Sequence, residues 1–168
     1  MVADALTRRK VMAALAALTT LPQAAFAEEI VDLEWQDLMP EGQTALPNSL
    51  QGIIQHDETA PGARQPASTG VRTDWNGKIV RLPGYMVPFE YDGSGVTAFL
   101  LVPYVGACIH VPPPPANQLV FVTTPEPYEA SGLFEPVNVT GMFGTSSTHT
   151  QLAEVGYALS AEKIEPFG

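Results

Sequence analysis

From Trp75 onward, apolar residues come in short runs with a period of two, separated by glycine, proline and polar turn residues. Within Gly77–Phe89, Val80, Leu82 and Met86 take one face and Arg81 the other, the alternation of a half-buried strand. Asp92-Gly93-Ser94-Gly95 reads as a tight turn, and Val96–Val102 is apolar on both faces, as in a central strand, so the pair predicts a β-hairpin. Gln118–Thr123, Val137–Phe143 and Gly156–Ser160 are predicted as third, fourth and fifth strands, with Ile164 and Phe167 closing behind the last. Pro88 has no N–H to donate, so the first strand is expected to end at an edge or bulge there. The segment Pro125–Glu129 reads as a solvated turn, and Thr145–Thr150 as a polar loop between the fourth and fifth strands.

Five short strands predict a mainly β domain over residues 74–168. The first choice is a small five-stranded, partly open barrel of the oligonucleotide/oligosaccharide-binding type, with a small β-sandwich as the alternative. Sixteen prolines argue against long crossover helices. Residues 28–73 read as an irregular N-terminal arm. Leu33–Met39 offers one or two helical turns stopped by Pro40, and the stretch through Pro47, Gly52, Pro61, Gly62 and Pro66 has no sustained period, so packing is expected only near Trp35.

The first residues change the picture from domain to destination. Arg8, Arg9 and Lys10 precede the apolar run Val11–Leu18, and Ala25-Phe26-Ala27 follows Pro22, the order of a secretory signal cleaved after Ala27. The run is too short to span a bilayer, and no cysteine stands at the cleavage point, so no stable membrane anchor is expected. The paired arginines fit a twin-arginine signal as well as an ordinary Sec signal, and both predict a periplasmic protein. Removing residues 1–27 takes away three basic residues and Asp4, moving the net charge from −10 to −12. Such a surface repels phosphate backbones, which excludes nucleic acid as an expected partner.

Cys108 is the only cysteine in the chain and has no internal partner for a disulfide. It lies in Pro103–Asn117, a connector without helix or strand pattern, stiffened by Pro112–Pro115 in the extended polyproline conformation. Cys108 and His110 are a soft and a borderline ligand suited to zinc or copper, with His149 as the best internal third. Three readings stay open: a buried Cys108 that merely fills space, a metal site, and a Cys-His thiol enzyme, the last lacking any third orienting residue. Asn117 and Gln118 are expected to hydrogen-bond the connector in place. The chain has no phosphate-binding glycine loop, no nucleophile elbow and no recognisable carboxylate pair, so the case for an enzyme is thin.

Val80–Pro88, Phe99–Pro103 and Cys108-Ile109-His110-Val111-Pro112-Pro113-Pro114-Pro115-Ala116-Asn117-Gln118 together resemble a bacterial family of exported proteins known only as a domain of unknown function. The resemblance spans roughly residues 30–167. It implies a periplasmic protein or lipoprotein, in some cases encoded near MacB-like ABC transporter components and periplasmic metal-binding proteins. The lipid-attachment cysteine of such lipoproteins is missing here. With the resemblance, the leading expectation is an accessory protein handling zinc or copper beside an envelope transporter, with Cys108, His110 and His149 as ligands. The alternatives are a non-catalytic module that docks an envelope partner and, behind it, a thiol enzyme.

Overall fold

The structure, a computed structural model, describes residues 29–42, 65–107, 113–150 and 152–167. The expected signal peptide lies outside the described residues. The chain forms β1 (Val31–Asp32), β2 (Ile79–Asp92), β3 (Gly95–Val102), β4 (Val120–Tyr128), β5 (Glu135–His149) and β6 (Glu154–Pro166). Strands β2 to β6 form the closed ring β2-β3-β4-β6-β5-β2, so the small barrel predicted from alternation is present and its seam is paired. The ring is antiparallel except for the parallel pair β4–β6. No α-helix occurs among the described residues.

The long strand β2 makes closure possible by serving two partners. Its first half pairs with β5, from Ile79 opposite Met142 to Met86 opposite Glu135, and its second half with β3, from Tyr85 opposite Val102 to Asp92 opposite Gly95. The register slips between Pro88 and Glu90, leaving Phe89 as the extra residue of a bulge where the proline interrupts donation. Gly93, at φ 60°, supplies the left-handed residue that turns β2 into β3.

Side chains on alternate faces of the strands build two apolar clusters. Inside the barrel lie Val80, Leu82, Met86, Phe99, Leu101, Val139, Phe143 and Tyr157, with the Phe143 and Tyr157 rings stacked at 5.1 Å. On the other face of β3, Leu100 and Val102 join Val87, Ala107, Leu119 and Val155, which explains why this strand is apolar on both sides.

The arm contributes more to the core than its sequence suggests. Strand β1 runs parallel to Val80–Arg81, and Leu33 N–H donates to Arg81 O at 2.9 Å, covering an edge of β2 that β3 does not reach. Residues Trp35–Leu38 then form a 3-10 turn, begun by the Asp37 carboxylate accepting the Glu34 N–H at 2.8 Å. Leu38 is fully buried in the barrel cluster. Trp35 donates from its indole to Pro83 O at 2.7 Å, and its ring lies against Gly84, where an added Cβ would stand 3.0 Å from Trp35 and 2.7 Å from Leu101.

The Tyr157 hydroxyl fastens both halves of the arm. It donates to Leu38 O at 2.6 Å and accepts the Arg72 N–H at 2.7 Å. Burial pushes its ionisation up, so it remains a donor across the ordinary pH range. Tyr157→Phe leaves the buried Leu38 carbonyl and the partly buried Arg72 N–H without this partner and is expected to cost about 1–3 kcal/mol. Urea unfolding checks the magnitude, and hydrogen exchange at Arg72 should rise in the same variant.

Candidate functional site

The connector between β3 and β4 is anchored at both ends. On its N-terminal side Ala107 is fully buried in the second apolar cluster beside Leu119 and Val155. Residues 108–112, including Cys108 and His110, lie outside the described residues. On the C-terminal side Pro114 is buried, and its carbonyl accepts a 2.8 Å hydrogen bond from Gln65 Nε2. The same amide donates to Glu154 O at 2.8 Å, while Gln65 Oε1 accepts the Glu154 N–H at 2.8 Å. One glutamine side chain thus joins the proline segment to the first residue of β6.

The next residues extend that attachment. Ala116–Gln118 form a buried 3-10 turn. Asn117 Nδ2 donates to Thr69 Oγ1 at 3.2 Å and Gly70 O at 2.9 Å, and Gln118 Nε2 donates to Trp35 O at 2.8 Å. The amides therefore hold the connector, as their position predicts, and their partners lie in the arm. Gly156 of β6 permits this packing, because a Cβ there would stand 2.6 Å from Ala116 O.

His149 ends β5, is solvent-exposed, and sits opposite Glu154 in the β5–β6 ladder. The polar run Thr145–His149 is strand rather than loop. Its ladder slips between Thr145 and Thr148, so the solvent-facing serines bulge without ending the pairing, and threonines suit such an exposed, pleated surface. Thr150 closes the hairpin, accepting the Ala153 N–H on its hydroxyl at 3.0 Å and donating to Ala153 O at 2.8 Å. Of the three sequence-predicted ligands, His149 alone has a described position, one cross-strand neighbour away from the Gln65 clamp on the proline segment. Among the described residues, no three histidine, cysteine or acidic side chains come together to hold a metal ion.

A second polar cluster was not foreseen. Glu135 is buried, accepting from the Tyr128 hydroxyl at 2.8 Å and from the Ser131 N–H at 2.5 Å. It braces the turn that carries Phe134 at φ 59°, a costly backbone for a bulky residue, whose N–H donates to Met86 O at 2.9 Å. Both carboxylate oxygens are used within the protein, so the cluster is architectural. The signal for it in the sequence is only a glutamate ahead of the alternating run Val137–Phe143.

A family described as a protein of unknown function (DUF3299) matches residues 35–166. The chain is similar to a crystal structure of a DUF3299 family protein from Pseudomonas aeruginosa PAO1, with 38% identity and a TM-score of 0.70 over 83% of this chain and 97% of that one. No curated protein matches. Among the described residues, no helix is long and apolar enough to cross a membrane.

Two measurements check the geometry. In Gln65→Ala the Glu154 amide loses its acceptor and should exchange about five- to tenfold faster, read by hydrogen exchange. Burial first, and the Glu135 carboxylate second, push the Tyr128 phenol from its ordinary 10 to about 12. Because the folded value is raised, its contribution to stability is fully present below pH 10 and is lost as pH climbs through about 12. Tyrosinate absorbance should show this late titration, and Glu135→Gln should bring it only part of the way back, since burial remains.

Proposed function

The chain belongs to the DUF3299 family of proteins of unknown function, and on that premise we propose that it is a periplasmic accessory protein that takes up and passes on a transition metal, zinc or copper(I). Cys108 supplies a thiolate and His110 an imidazole, with His149 completing the donor set. Three donors, one of them on an exposed strand end, leave a coordination position for a partner's ligand, which suits transfer better than storage. An envelope transporter or another periplasmic protein is the expected recipient. The basic, apolar and small-residue order of residues 1–27 supports the compartment.

One observation carries this reading. The Gln65 side chain bonds Pro114 O and both backbone groups of Glu154, the residue paired across the ladder with His149. Pro114, four residues after His110 in sequence, therefore adjoins the strand end that bears His149. Burial of Pro114 uses part of the proline rod internally, which favours presentation of Cys108 and His110 over docking by the rod itself.

The test is titration of reduced, mature protein with Zn(II) and with Cu(I). Binding near one equivalent is expected. Cys108→Ser and His110→Ala should each weaken it by more than the roughly 10- to 100-fold typical of losing a supporting residue around a ligand, and His149→Ala should weaken it less. Absence of binding by the wild type, or unchanged affinity in both Cys108→Ser and His110→Ala, overturns the proposal.

A further inference from the structure

The parallel ladder between β4 and β6 runs from Val120 opposite Tyr157 to Thr123 opposite Ser160 and stops there. Both strands continue, β4 to Tyr128 and β6 to Pro166. The cause lies in β4, where Pro125 and Pro127 have no N–H to offer and the register against β3 slips between Val96 and Ala98. The Thr124 hydroxyl donates to Glu126 O at 2.9 Å within this irregular stretch, and β4 does not pair with β6 beyond Thr123. Beyond Ser160, β6 keeps β5 on one side, with Ala161 opposite Gly141 and Glu165 opposite Asn138, and faces a cleft on the other.

That cleft comprises two adjoining compartments of about 490 and 380 Å³ that share Thr124, Pro125 and Glu162. Exposed Met142 lies at one end and half-buried Ile164 at the other. Glu126 and Glu162 are exposed on its two walls, while the lysine in the cleft, Lys163, is engaged by Glu165 at 2.8 Å. A strand edge, apolar contacts and uncompensated negative charge therefore coincide. The edge Ala161–Glu165 spans about 16 Å at roughly 3.3 Å per residue, enough to pair with a short strand.

We propose that this cleft binds an extended peptide segment of a partner protein, with alternating basic and apolar residues, which adds as a strand to the free edge of β6. Main-chain hydrogen bonds to Ala161–Glu165 supply the pairing, apolar side chains meet Met142 and Ile164, and basic side chains meet Glu126 and Glu162. The adjacent glutamates and the chain's net charge of −10 select against acidic segments.

The probe is a synthetic peptide of about eight alternating lysine and valine residues, a common strand length, added to the mature protein. It should protect from exchange those Ala161–Glu165 amides that are not bonded to β5. The same peptide with alternate backbone nitrogens methylated should not bind. The double variant Glu126→Lys, Glu162→Lys changes only exposed side chains, and it should weaken binding about three- to tenfold. Absence of protection, equal binding of the methylated peptide, or unchanged affinity in the double variant overturns the proposal. Concentration-dependent self-association that protects the same amides also overturns it, assigning the edge to a second copy of the chain.

Discussion

One phenolic hydroxyl, that of Tyr157 in β6, holds both described stretches of the arm at once. Buried backbone groups must find partners, and the arm cannot find them in a sheet of its own, since β1 is only two residues long. Tyr157 resolves this at one point, donating to one stretch of the arm and accepting from the other. With the arm fixed, Trp35 O becomes available to Gln118, and Thr69 and Gly70 to Asn117. Those bonds in turn fix the end of the proline connector. Asn117 and Gln118 are thus positioned by an arm that is itself positioned by a tyrosine in the barrel wall.

The two proposed sites use opposite ends of β6. His149 and the Gln65 clamp gather at Glu154, where the strand begins, while the unpaired edge starts at Ala161. At about 3.3 Å per residue these lie more than roughly 20 Å apart along the strand, so a peptide in the proposed cleft would leave the His149 end open. A protein that handed metal to a partner would gain from such separation, gripping with one end of the strand and delivering from the other.

The barrel was largely legible from alternation, because strands that bury one face must repeat every second residue, as Val80, Leu82 and Met86 do. The Pro88 bulge was legible for an equally local reason, a missing donor. What escaped was whatever depended on distant partners. Leu38 reads as part of a short, weak helical turn, yet it is fully buried because residues more than a hundred positions away enclose it. Thr145–His149 and Pro125–Tyr128 read as loop and turn because polar and proline residues mark such places, but pairing along β5 and a bulge in β4 carry both into strands. For the candidate site, the sequence identified the bracing amides Asn117 and Gln118. It could not identify Gln65, one of four glutamines in a proline- and glycine-rich stretch, whose importance lies wholly in where Pro114 and Glu154 end up.

The 119-residue separation of Leu38 and Tyr157 also sets an order of events during synthesis. The arm is made first, but the hydroxyl it needs belongs to the final strand. At ribosomal rates of about 5–20 residues per second, roughly 6–24 s pass between the two. Through that interval the nascent chain carries the arm undocked, and the ring cannot be completed before β6 has been translated.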